Sequence, residues 1–177
     1  MELKDKLPNK AHIKIKELKD KYPNEIAIIT QNVDDMFEKA GIKDVIHLHG
    51  FITSIYCEEC DFKENIGYIK QLDSYSKCPK CNNDLLRPDI VFFNESAPKY
   101  FFLKREMRDC EFLVIIGTSG NVINPDNLIH PELKYTILNN LEVSDAINDK
   151  KYKKVLYKKA TDAIDEIVDD INKFLTD

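Results

Sequence analysis

The chain has 177 residues, 43 % of them hydrophobic and 32 % charged, and a net charge of −5. This supports one packed core with a small insert, and it excludes a membrane-spanning helix, because no apolar run nears the ~18 residues a span needs. The acidic balance supplies no basic face for nucleic acid, and the polar start MELKDKLPNK lacks a secretory pattern, so the expectation is a cytoplasmic protein with neither membrane nor nucleic-acid partner.

In chain order, NKAHIKIKELKDK (9–21) places Ala11, Ile15 and Leu18 at helical spacing, and Pro23 and Asn24 stop the helix. IAIIT (26–30) predicts a buried strand, followed by the polar turn QNVD. DDMFEKA (34–40) predicts a short helix with Gly41 just past its end, and VIHLHG (45–50) a further extended stretch. Residues 51–86 are rich in cysteine and turn-formers and read as an insert. PDIVFF (88–93) returns to strand character, and APKYFFLKREMRD (97–109) to an amphipathic helix. EFLVIIGTS (111–119), KYTILNN (134–140) and YKKVLY (152–157) predict three more strands. The six lysines of DKKYKKVLYKK (149–159) read as a solvated strand edge, with a phosphate-binding patch as the other possibility. TDAIDEIVDDINKFL (161–175) predicts a helix capped by Thr161, with Ile164, Ile167, Val168, Ile171, Phe174 and Leu175 on one face. Strands alternating with helices or long crossovers predict an α/β fold: an open, mostly parallel sheet interrupted by the cysteine insert.

The insert carries the sharpest chemical signal. Cys57 and Cys60 form one Cys-x-x-Cys pair, and Cys78 and Cys81 a second. Two such turns point four sulfurs at one ion, and a thiolate tetrahedron suits zinc. A redox pair would stand alone at a helix start, and iron–sulfur sites more often use other spacings. Pro79 stiffens the second turn, and Lys80 offsets some thiolate charge. Four protein ligands leave no open position, so the metal's role is structural, replacing a core that the segment is too short to build. The fifth cysteine, Cys110, reads as an ordinary buried thiol.

Three polar stretches stand out. TQNVD (30–34) sets Gln31, Asn32 and Asp34 after an apolar strand, where ligands bind in open α/β sheets, although Asp34 also fits as a cap for the next helix. In HLHG (47–50), His47 and His49 share a face, and either fits a general base or a hydrogen-bonded structural histidine. Gly50 allows a ligand or another backbone to approach closely. GTS (117–119) closes the clearest strand with a turn suited to a cofactor.

In their order, TQNVDDMFEKAG, LHG, the two cysteine pairs, LRPDIVFFNE and IGTS resemble the sirtuin family over nearly the whole chain, from about Asn9 to about Leu175. The resemblance implies a Rossmann-like NAD-binding part, residues 1–50 and 87–177, with a small zinc ribbon at 51–86. It implies removal of acyl groups from lysine side chains with consumption of NAD, so the expected partner is an acylated-lysine protein or peptide. By the same resemblance His49 and Asn32 are catalytic, His49 as the general base acting through the NAD ribose. Gln31, Asn32 and Asp34 bind the nicotinamide side of NAD, Gly117, Thr118 and Ser119 its adenosine side, and Asn140 the adenine ribose. Val91 and Phe92 pair with the substrate, and Cys57, Cys60, Cys78 and Cys81 hold zinc.

The chain departs from the family pattern in places. Its five glycines, at 41, 50, 67, 117 and 120, include no Gly-x-Gly, and the sequence starts beyond the family's first strand and glycine turn. The expectation is a sheet missing its first strand, weaker or lost NAD binding, and a substitute for that strand such as a second chain. Phe37 and Asn94 stand where the family pattern has His and Gly. The alternative function is therefore a catalytically inactive zinc-binding module with a binding or regulatory role, or a truncated product with none.

Overall fold

The computed structural model describes residues 3–92, 95, 97 and 99–176, at 71 and 72 the backbone alone. Phe93, Asn94 and Pro98, which fall in the expected strand, substrate motif and helix, lie outside them.

The elements are α1 (Lys10–Lys21), β1 (Ile28–Thr30), α2 (Met36–Lys39), β2 (Val45–His47), β3 (Gly50–Cys57), β4 (Lys63–Asn65), α3 (Gln71–Ser74), β5 (Leu86–Ile90), α4 (Tyr100–Met107), β6 (Phe112–Ile116), β7 (Tyr135–Asn140), β8 (Lys154–Tyr157) and α5 (Ala160–Thr176). The class is the expected α/β. Parallel ladders join β1 to β2 and run β6–β7–β8, and an antiparallel sheet runs β4–β3–β5. The chain forms two compact units, Met1–Leu7 with Ile26–Leu103, and Pro8–Glu25 with Lys104–Asp177. None of the described helices is long and apolar enough to cross a membrane.

In the first unit, β1 and β2 pair from Ile28 with Val45 to Thr30 with His47. The chain then turns at Leu48 and His49 instead of running extended to Gly50, so the two histidines do not share a strand face. Gly50 opens β3 with φ 92°, and a Cβ there would lie 1.9 Å from the Asp89 carbonyl oxygen. Only glycine tolerates both the positive φ and that approach. The strand expected at 88–93 begins earlier, at Leu86, and pairs with β3 in the antiparallel sheet. An apolar run shows that a strand is buried but not which sheet it joins.

In the second unit, β7 is central. Ile137 faces Ala163 and Ile167 of α5, with Phe112, Val114 and Ile171 around them. Leu138 faces Ile147 and Tyr152 on the other side. The alternation of the strand thus divides its side chains between two apolar layers. Two lysines of 149–159, Lys154 and Lys158, turn to α5, and Lys151 lies 3.8 Å from Asp126. Lys154 meets Asp170 at 2.5 Å and Glu166 at 2.7 Å, and Lys158 meets Glu166 at 2.8 Å. Hydrogen bonds from these two lysines hold the Glu166 carboxyl down to about 2. Helix α5 starts before Thr161, since the Lys159 carbonyl accepts from the N–H groups of Asp162 and Ala163. Thr161 lies inside the first turn, its hydroxyl 3.4 Å from the Asp162 carboxylate, and does not cap the helix. Asn9 caps α1, accepting from the N–H groups of Ala11 and His12.

Candidate functional site

The four paired cysteines converge. Their sulfurs all lie within 4.8 Å of one another, with Cys57 and Cys81 at 3.7 Å and Cys60 and Cys78 at 3.6 Å. A disulfide needs about 2.05 Å. A tetrahedral ion bonded to sulfur at ~2.3 Å sets its ligands about 3.8 Å apart, close to these separations. Two backbone turns make the arrangement. Cys57 N–H donates to the Phe62 carbonyl at 2.9 Å, and Cys78 N–H to that of Asn83 at 2.8 Å. Asn82, at φ 59°, takes the left-handed conformation that closes the second turn. Burial opposes ionisation of Cys78, yet hydrogen bonds from the backbone of Cys81 and Lys80 bring its thiol down to about 7. At Cys81 the backbone of Asn83 favours the thiolate, but burial and the three neighbouring sulfurs push the group up to about 12. Sulfurs this close do not all ionise without a cation, so the donor set fits zinc. Lys80 is paired with Asp61, which does more to hold its proton than the thiolates do. Cys110 stands apart and half-buried, its thiol donating to the Phe112 carbonyl at 3.4 Å.

The turn after β1 is fastened by both histidines. His47 Nδ1 is 3.1 Å from the Asn32 carbonyl oxygen and its Nε2 2.8 Å from Glu38 Oε1, with 7 % of the residue exposed. This is the structural histidine of the pair. His49 Nδ1 lies 3.0 Å from the Gln31 carbonyl oxygen, and its Nε2 2.8 Å from the Tyr100 hydroxyl. The Asn32 side chain is exposed, while its N–H donates to Thr30 Oγ1 at 3.0 Å. Asp34 Oδ1 accepts from Met36 N–H at 3.1 Å, which ties the turn to the first residue of α2, but the cap position is Asp35, whose side chain makes no capping bond. Val91 N–H donates to the His49 carbonyl at 3.0 Å, tying the segment after β5 to the candidate base. Phe92 is 52 % exposed, with the Arg87 guanidinium over its ring at 4.9 Å. The structure therefore brings Gln31, Asn32, Asp34, His49 and Val91 into one neighbourhood of the first unit.

The remaining residues lie in the second unit, at the carboxyl ends of its parallel strands. Gly117 has φ 67° and leaves open space where a Cβ would stand. Asn140, 6 % exposed, spends its amide on the backbone of Thr118. Its Oδ1 accepts from Thr118 N–H at 3.0 Å, and its Nδ2 donates to the Thr118 carbonyl at 2.9 Å. Ser144 Oγ donates to the Ser119 carbonyl at 2.6 Å, so the GTS turn is anchored at two points. Gly117, Asn140, Leu141, Lys158 and Thr161 line a cleft of about 320 Å³. A cleft at strand carboxyl ends, floored by a glycine turn, is where α/β proteins take nucleotides.

A model of the Sir2 family matches residues 1–124. The chain is 41 % identical over 177 residues to the NAD-dependent protein deacylase of Campylobacter jejuni (strain RM1221), covering all of this chain and 74 % of that protein. The chain belongs to the Sir2 family. Among solved structures, a Sir2 homolog–NAD complex aligns with a TM-score of 0.79 at 29 % identity, covering 98 % of this chain and 68 % of the other. A Sir2 bound to acetylated peptide aligns at 0.76 and 26 %, covering 96 % and 73 %. The two parallel ladders are accordingly the Sir2 Rossmann-like fold, with the cysteine tetrad in its antiparallel insert.

For a Sir2 protein the sequence reading overlooked one contact, that of Tyr100 with His49. Tyr100 opens a helix 51 positions from the histidine, and its neighbours KYFFLK show only a helical pattern. Nothing local in the sequence marks it.

Proposed function

We propose that the chain is an NAD-dependent protein-lysine deacylase of the sirtuin type, taking an acylated-lysine protein or peptide as substrate. The carrying observation is His49. Its Nδ1 is tied to the Gln31 carbonyl, which leaves Nε2 as the nitrogen able to take a proton. The proposal assigns residues 51–86 to a zinc ribbon and 1–50 with 87–177 to the nucleotide-binding part. Relatives named as NAD-dependent protein deacylases support the activity, and the family's NAD and acetyl-peptide complexes support the ligands.

When bound, NAD supplies the sugar that receives the acyl group. The chain's own residues do the rest. Gln31 orients the imidazole through its carbonyl, and the free amide of Asn32 with Asp34 beside it offers polar partners for the nicotinamide side. The anchored Gly117–Ser119 turn lines the place for the adenosine side, with Asn140 holding Thr118 in position. Val91, Phe92 and the backbone beside His49 offer an edge for the substrate peptide. Cys57, Cys60, Cys78 and Cys81 hold zinc as a structural clip, and unpaired thiols of this kind fit the reducing cytoplasm.

The test is turnover of an acetyl-lysine peptide with NAD. His49→Ala should lower kcat about 100- to 10,000-fold, the usual worth of a general base. Unchanged turnover in that variant assigns the base elsewhere. A chain that keeps zinc but releases no nicotinamide is the inactive zinc-binding module instead.

A further inference from the structure

His49 is engaged at both ring nitrogens, and the chemistry of the partners fixes the direction of each bond. The Gln31 carbonyl oxygen, 3.0 Å from Nδ1, accepts only, so in the neutral ring Nδ1 carries the hydrogen. Nε2 is then the lone-pair nitrogen. The group 2.8 Å from it is the Tyr100 hydroxyl, which must donate. The Tyr100 hydroxyl has no other hydrogen-bond partner among the described residues, so the lone pairs of its oxygen are unclaimed. Burial pushes the phenol up, so it stands as an O–H donor at neutral pH.

While this contact holds, the proton that reaches Nε2 is the phenol's own. From this we infer that Tyr100 is a catalytic relay, passing to His49 the proton of a sugar hydroxyl of NAD, the second substrate, called the substrate hydroxyl below. The inference rests on the deacylase reading and adds to it the path of the proton. The O–H bond of the substrate hydroxyl breaks and its proton bonds to Tyr100 Oη. The original phenol O–H breaks and its proton bonds to His49 Nε2. The substrate oxygen keeps an electron pair, the imidazole gains one positive charge, and the phenol ends as it began.

The experiment compares the unaltered chain, Tyr100→Phe and His49→Ala. In the free chain labelled with 15N-histidine, Tyr100→Phe should move the Nε2 resonance of His49 toward that of a nitrogen without a hydrogen bond. An unmoved resonance overturns the relay, because the contact is then absent in solution. In turnover, Tyr100→Phe should lower kcat about 10- to 100-fold, with KM within about twofold. The rate in H2O–D2O mixtures should be a bowed function of deuterium fraction in the unaltered chain and a straight one in Tyr100→Phe. A Tyr100→Phe kcat that is unchanged or raised, with His49→Ala inactive, overturns the relay alone: the phenol is then displaced by substrate. Full turnover in His49→Ala, or none in the unaltered chain, overturns the deacylase reading and the relay with it.

Discussion

Around the cysteines, the buried cluster is Cys57, Cys78 and Leu86, with Cys60, Phe62 and Tyr75 packed on it. Across β7, Ile137 and Leu138 are sealed by two separate apolar layers and a 17-residue helix. The cysteine region has four sulfurs and two hydrogen-bonded turns where the β7 region has aliphatic side chains. A short segment cannot bury enough carbon to fix its loops, and a metal bond is the strong local substitute. The longer region needs no such clip, because packing alone can offset the entropy of ordering it.

The sharpest way to break that contrast is to remove the metal. The expected content is one zinc per chain. Chelation should release the cysteine turns, with hydrogen exchange at the amides of Cys57 and Cys78 rising toward unprotected rates while those of β7 stay protected. Zinc-finger peptides gain about 10–16 kcal/mol from the metal, so this is the largest effect. Equal loss of protection in both regions would mean that they do not differ as described.

Next is Ile137→Ala, which empties a fully buried site in the aliphatic region. It should cost about 2–5 kcal/mol in urea unfolding, with the zinc content unchanged. Smaller again is Asn140→Ala, which leaves the N–H and carbonyl of Thr118 without their side-chain partner. It should cost about 1–3 kcal/mol, and nicotinamide release should fall with it if the GTS turn takes the cofactor. The smallest effect is electrostatic. The Glu166 carboxyl sits at about 2 in the folded chain against an ordinary 4.5. A lowered folded value stabilises above about 4.5, and that stability is lost as pH falls through 2. Glu166→Gln should therefore lower stability slightly at pH 7 and leave it unchanged below pH 2, flattening the acid limb by that same amount, which is small because the pair is partly exposed.

The same contrast governs what the sequence made legible. FLVII, YTILNN and the face of Ile164 and Ile167 announce themselves by period, because burial of aliphatic surface is a local pattern repeated along the chain. The cysteine spacing is equally plain, because metal ligands must come in tight turns. Less legible were features set by partners distant in sequence. The run PDIVFF gave no sign that its strand starts at Leu86 and joins β3. HLHG reads as extended, but the turn at Leu48 and His49 is fixed by hydrogen bonds back to Thr30 and Gln31. Thr161 has the chemistry of a cap, but the Lys159 carbonyl already takes the first helical bonds. His47 and His49 differ in their hydrogen-bond partners, Glu38 for the one and Tyr100 for the other, which no spacing rule connects to them.

Gly50 carries a consequence for heredity. With the Asp89 carbonyl oxygen 1.9 Å from where any β-carbon would go, codon 50 admits one amino acid. Even alanine would wedge the neighbouring strand outward, one residue from His49. Under the proposed assignment of His49, such a mutant would be scored as catalytically dead in a genetic screen, although every reacting group was intact.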